Sequence, residues 1–199
     1  MNFTELFNEV TIITKRPDLV DRTKQAIRAA TIKLHHSDLY FKDLVEIPVQ
    51  FTNIFFLQSF IPTDVVANFR MVKYIRLWNG DINGDVGTFL DPIQIENSLN
   101  QYKQIKTNVF YMAGQMLQIR GAAPLDKVLF GCYVNPIVTP EASYASWIAN
   151  EKPYAIIYEA ARQVFSSISF DTQAQLMAGM VQDELGELKL TYVDSVPLT

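Results

Sequence analysis

Residues able to do chemistry are sparse in this chain. His35 and His36 are the only histidines and Cys132 the only cysteine among 199 residues. Neighbours on a helix point roughly 100° apart, so the two imidazoles cannot clamp one metal as an i, i+4 pair does. Any serine–histidine arrangement must recruit one of them, and no G-x-S-x-G nucleophile elbow occurs. A solvated or capping role near a helix end is the expectation for both. Cys132 lies in the apolar run "LFGCYV", where a thiol is expected to be buried and inert. The stretch "DINGDVGTFLDP" puts Asp81, Asn83 and Asp85 at alternate positions, as a calcium loop does. Its sixth and twelfth places hold Val86 and Pro92, where that loop needs glycine and glutamate, so a hairpin turn is the better reading. No phosphate-cradling G-x-x-x-x-G-K-[ST] loop occurs, and "GAAP" after Arg120 is too poor in glycine to replace one. Nothing in the spacing of the 21 acidic residues picks out a catalytic pair. The expectation is therefore no catalytic, cofactor-binding or metal-binding residue, and no enzyme.

The elements that position these residues fall into three blocks, helices, sheet and helices, followed by a tail. "NFTELFNEVTIITK" places Phe3, Leu6, Phe7 and Val10 on one helical face, with Thr4 or Asn2 as its cap. "KRPD" reads as a turn, with Pro17 in the first turn of a second helix that carries Val20, Ile27, Ala30 and Leu34. Two antiparallel helices over residues 1–40 are the natural reading. "DLVEIPVQF" then alternates, so Val45, Ile47, Val49 and Phe51 form one apolar strand face, and Pro48 suggests an edge or a bulge. "FRMVKYIRLW" reads as a strand, and the pairs Asn79-Gly80 and Asn83-Gly84 read as hairpin turns. "DPIQIENSLNQYKQI" reads as a short helix capped by Asp91, with Pro92 in its first turn. Strands return in "NVFYMAGQMLQIRG", folded back around Ala113-Gly114, and in "KVLFGCYVNPIV". Residues 43–138 are thus expected to be an antiparallel β-rich module.

From residue 139 the helical period returns. Trp147 and Ile148 sit on a short helix broken near Asn150, and Pro153 starts a helix carrying Ile156, Ile157, Ala160, Ala161, Val164 and Phe165. Another helix begins at a cap on Asp171 and ends at Gly186. The tail over 187–199, "ELKLTYV" and beyond, alternates like a strand with no hairpin partner. Trp147, Ile148, Pro153 and Tyr154 make a stiffened corner, suited to core packing or to an interface. Leu188, Leu190, Tyr192 and Val193 would carry a docking tail, if that end is not simply disordered. The fold class is α+β, a single domain over 1–199 in which the N-terminal pair and the C-terminal helices of 139–186 form a bundle beside the central sheet.

Composition sets wider bounds. Apolar residues make up 49% of the chain, enough for a real core, and one large domain suits this length. The apolar runs are too short to cross a bilayer, so no membrane is expected. The acidic N-terminus shows no signal peptide, and one cysteine forms no intrachain disulfide, which suits a reducing compartment. Net charge is −4, with basic residues scattered rather than set in the stripe that grips phosphates.

The stretch "GCYVNPIVTPEASYASWIANEKPYAIIYEAARQVFSSI" resembles the C-terminal half of tailed-phage head-to-tail adaptor proteins, the tail tubular protein A-like, portal-docking family. A strand ends in a "Y…P" step, a tryptophan-containing turn follows, and a proline opens an alanine-rich helix. "FTELFNEVTIITKRPDL" and "IPTDVVANFRMVKYIRL" look similar to the same family, and the likeness spans about residues 3 to 185. The resemblance implies a structural virion protein with no cofactor, assembled in the host bacterial cytoplasm and located at the virion neck. It implies a ring, typically of twelve copies, between the portal protein and the tail tube, nozzle or stopper, with genomic double-stranded DNA passing through its channel. A neutral or acidic lumen would let DNA slide, which the charge pattern suits. A stopper, tail-terminator or tail-completion protein is the alternative, and a small enzyme or host-factor binder of unknown chemistry the third reading.

Overall fold

The computed structural model describes residues 1–78, 86–94 and 106–193. The two Asn-Gly pairs, the calcium-like residues Asp81 to Asp85 and most of the helix expected after Pro92 lie outside them. The chain is mixed α+β and divides into two compact units: Met1–Asp43 with Asn135–Thr199, and the intervening Leu44–Val134.

The first unit is helical. Helix α1, Phe3–Thr14, starts with Asn2 rather than Thr4 as cap. Asn2 Oδ1 accepts from the Glu5 N–H at 2.9 Å and the Glu5 carboxylate accepts from the Asn2 N–H at 2.9 Å, a reciprocal box that satisfies two end donors. Helix α2 runs Val20–His35, so Pro17 sits in the turn before it and not in its first turn. After the sheet come α4, Trp147–Glu151, α5, Pro153–Ser167, and α6, Asp171–Tyr192. Pro153 opens α5 as expected, whereas Asp171 is the first helical residue of α6 and gives no side-chain cap. Helix α5 buries Ala155, Ile156, Ile157, Ala160, Ala161, Val164 and Phe165, so apolar residues cover most of its circumference and it packs on α1, α2 and α6. Its alanines let neighbouring backbones approach closely. One core joins these residues to Leu6, Val10, Ile27, Leu34 and Tyr40.

Helix α6 corrects the reading of the tail. It passes through Gly186 to Tyr192, so Leu188, Leu190 and Tyr192 are helical and not part of a strand. Tertiary packing outweighs the roughly 1 kcal/mol that an interior glycine costs. Leu188 is fully buried in the core, the Tyr192 ring lies 4.9 Å from that of Trp147, and Val193 bridges to Tyr40. Residues 194–199 fall outside the described residues.

The second unit is a six-stranded sheet curled into a nearly closed barrel: β1 Leu44–Phe60, β2 Phe69–Trp78, β3 Val86–Phe89, β4 Asp91–Pro92, β5 Val109–Ala113 and β6 Met116–Val134, with a short helix α3, Pro62–Val65, after β1. Strand β6 is the spine. Its first part pairs with β5, its second with β2, and β1 runs antiparallel along both. The two strands expected on either side of "GAAP" are thus one. The chain folds back at Ala113-Gly114 as expected, with Gly114 in the left-handed region (φ 63°). Gly131 is required by packing, because a Cβ there would fall 2.4 Å from the Tyr74 ring. Asp91 and Pro92 are strand, not a helix start. The N–H groups of Asp91 and Ile93 donate to Asn108 and Phe110 at 2.9 and 3.0 Å, leaving Pro92 at the position that needs no donor. Val49, Ile75, Phe110, Leu117, Ile119, Val128 and Phe130 fill the interior.

Candidate functional site

Of the corner residues, three are packed. Trp147 is half-buried, with its ring 5.6 Å from His35 and 5.4 Å from Tyr40; Ile148 is fully buried, and Pro153 fixes the start of α5. Tyr154 alone is largely exposed, tilted on Tyr158 at 5.6 Å. Of Leu188, Leu190, Tyr192 and Val193, only Leu190 is exposed. Lys42 lies 4.6 Å over the Tyr192 ring and pairs with Glu151, which fastens the end of α6 further.

The corner encloses a group of residues that sequence reasoning missed. His35 is buried, not solvated, and stands between two partners: Nδ1 lies 2.8 Å from Asp43 Oδ1 and Nε2 lies 2.9 Å from Ser146 Oγ. Trp147 Nε1 donates to the same Asp43 oxygen at 2.7 Å. A carboxylate only accepts, so Nδ1–H donates to it and Nε2 is left to take the serine proton, the order of roles in a serine hydrolase. Ser146 is nevertheless only 7% exposed, and its oxygen also accepts the Ala149 N–H at 3.3 Å as the cap of α4. The geometry is that of a proton relay, and the burial is that of a structural knot tying α2, the 41–43 turn and α4 together. Positions 35, 43 and 146 share no local pattern, so no sequence signal joins them. His36, one residue on, is exposed and meets Asn135 at 2.7 Å.

Two other chemical groups are accounted for by packing. Glu159, fully buried on α5, accepts from Arg162, Lys33 and Gln163 at 2.8 to 2.9 Å. Burial pushes its carboxyl upward, but these donors outweigh it and hold the pKa down at about 2. The thiol of Cys132 is fully buried and pushed up to about 11, as an inert cysteine should be. Among the described residues no group of three or more acidic, histidine or cysteine side chains could hold a metal.

A different kind of site lies on β1. Thr52 to Leu57 are six consecutive exposed residues, so alternation fails and both strand faces meet solvent. Ile54 is 61%, Phe55 59%, Phe56 56% and Leu57 45% exposed. No charge occurs between Glu46 and Asp64. The pairing with β6 shifts on either side of Phe55, opposite the exposed Ala122, Ala123 and Pro124. This irregularity is pinned. The buried Gln58 amide donates to the Asn53 carbonyl at 2.6 Å and to the Leu125 carbonyl at 2.8 Å, clasping both strands. Its signal in the sequence is an uncharged run rich in β-formers that continues directly from the alternating stretch ending at Phe51.

No protein-family model matches the chain, and no curated protein matches it.

Proposed function

We propose that this protein is a structural subunit of a tailed-phage neck, a head-to-tail adaptor that works by multiple contacts and alters no covalent bond. The observation that carries this reading is the clasped apolar segment Thr52–Leu57. A soluble chain rarely keeps four large apolar side chains together in water unless another surface covers them. The buried glutamine holds the segment ready rather than letting it collapse inward. The order of elements in the resembling stretches and the helical unit around the alanine-rich α5 support the same reading. Under it the subunits close into a ring, of twelve copies in the family it resembles, so each contact can be individually weak. The portal lies above, a tail tube, nozzle or stopper below, and DNA passes through the channel. The test is to size the purified protein alone and with the portal. A stable portal complex is expected; no binding at any ratio overturns the reading.

One observation favours a second reading, a serine hydrolase built on Ser146, His35 and Asp43. Reaction of the native protein with a fluorophosphonate probe at Ser146, lost in Ser146→Ala, would favour it; absence of labelling is expected.

A further inference from the structure

We infer that the outer edge of β1 over Thr52–Leu57 takes an extended, uncharged segment of another protein, which adds to the sheet as a strand. This rests on the reading of Thr52–Leu57 as a contact surface and names the form of its partner. Among the described residues β1 pairs with β6 alone, so its other edge carries no strand. Alternate residues of such an edge turn their N–H and C=O groups outward, a template for a further strand. Natural edges are guarded by brevity, charge or proline. Strand β1 is 17 residues long, and its one proline, Pro48, lies before the exposed segment. No charge occurs between Glu46 and Asp64. The chain stays extended through Leu44–Phe60 despite the register shifts beside Phe55. The clasp leaves the outer edge open. Gln58 reaches the Asn53 and Leu125 carbonyls together, which places its amide in the seam with β6.

Shape and area favour a strand over a globular face. Thr52 to Leu57 expose side chains on both faces of the sheet, and a flat partner surface covers only one. A strand added at the edge sets its own side chains beside those of β1 on both faces at once. Ile54, Phe55, Phe56 and Leu57 each leave roughly half of a side chain of about 200 Å² in water, on the order of 400 Å² in all. A stable globular pair needs about 800 Å² from each partner. Six residues of strand span about 20 Å, and main-chain hydrogen bonds supply what the small apolar area lacks. The absence of charge sets the sequence class. A charged side chain beside Phe55 or Phe56 would lose water and meet no opposite charge, so valine, isoleucine, threonine, tyrosine and phenylalanine suit the added segment.

The test selects random dodecapeptides displayed on yeast for binding to the full chain, and titrates the enriched ones as synthetic peptides up to about 1 mM. The double variant F55S/F56S is the comparison, with circular dichroism melting to confirm its fold. Both rings are exposed, so folding is expected to survive. Enriched peptides are expected to be uncharged and rich in β-formers, and to bind F55S/F56S roughly tenfold or more weakly. A strand at an edge uses alternate amides. N-methylating one alternate set should therefore abolish binding, and methylating the other set should leave it unchanged. These peptides decide the matter alone if the variant does not fold. No enrichment, peptides that bind folded F55S/F56S equally well, or binding indifferent to both methylated sets would overturn the inference. Without enriched peptides, self-association lost in F55S/F56S would assign the surface to a second copy. Co-sedimentation with phosphatidylcholine vesicles, lost in the same variant, would assign it to lipid. Either result overturns the inference. Peptide binding of the predicted kind without a portal complex would leave this inference standing and sink the adaptor reading. A portal complex with no enriched peptide would do the reverse.

Discussion

His35 shows how far a residue's surroundings change its meaning. With Asp43 on one nitrogen and Ser146 on the other it has the partners of a catalytic base, yet Ser146 spends its oxygen on the start of α4. His35→Ala leaves the Asp43 carboxylate short of a donor in a buried place, and a loss of about 2 to 4 kcal/mol is expected in urea unfolding. Ser146→Ala removes only a cap and one bond, so a loss of about 1 kcal/mol is expected. Glu159 supplies a pH dependence. Its folded-state pKa of about 2 lies below the ordinary value of 4.5. The stabilisation is therefore complete above about pH 5 and is lost as pH falls through about 2. The difference is worth on the order of 3 kcal/mol. Stability measured by chemical unfolding from pH 6 to pH 2 should fall less steeply in Glu159→Gln than in the wild type; an unchanged slope would contradict this account of the carboxylate.

The elements differ in how much of themselves the chain's pattern reveals. Helix α5 was legible because Pro153 marks its start and apolar residues recur at helical spacing. The joining of β5 to β6 was legible from Gly114. Helix α6 was not legible beyond Gly186, because glycine signals a stop and "ELKLTYV" alternates. What continues the helix is tertiary: Leu188 in the core, Tyr192 against Trp147, and the pair between Lys189 and Asp38 at 3.4 Å. A Cβ at Gly186 would meet nothing within 4 Å, and the residue is exposed. Gly186→Ala is therefore expected to stabilise the protein by about 0.5–1 kcal/mol, read as a raised melting temperature. Destabilisation would mean that α6 ends before this residue. Strand β4 was hidden for the opposite reason: Asp91-Pro92 is a strong helix-start signature, and the competing ladder with β5 draws on residues seventeen or more positions away.

At the scale of the whole molecule, the mixed α+β composition was legible, whereas the curling of the sheet into a nearly closed barrel and the site were not. Helix period, strand alternation and turn residues are local, so two helical blocks around a sheet could be read from the order of residues. The His35 network and the Gln58 clasp join residues brought together only by folding, and exposure of Phe55 and Phe56 depends on what the rest of β6 leaves uncovered. Under the proposed function these exposed rings, and not the buried histidine, make the contacts that matter. Electron cryo-microscopy of the neck of purified phage particles containing this chain is the most direct test. A ring of this polypeptide directly beneath the portal, with Phe55 and Phe56 covered by another protein surface, is the predicted result. Particles that lack the polypeptide at the neck, or a ring in which both rings of Phe55 and Phe56 face open solvent, would contradict it.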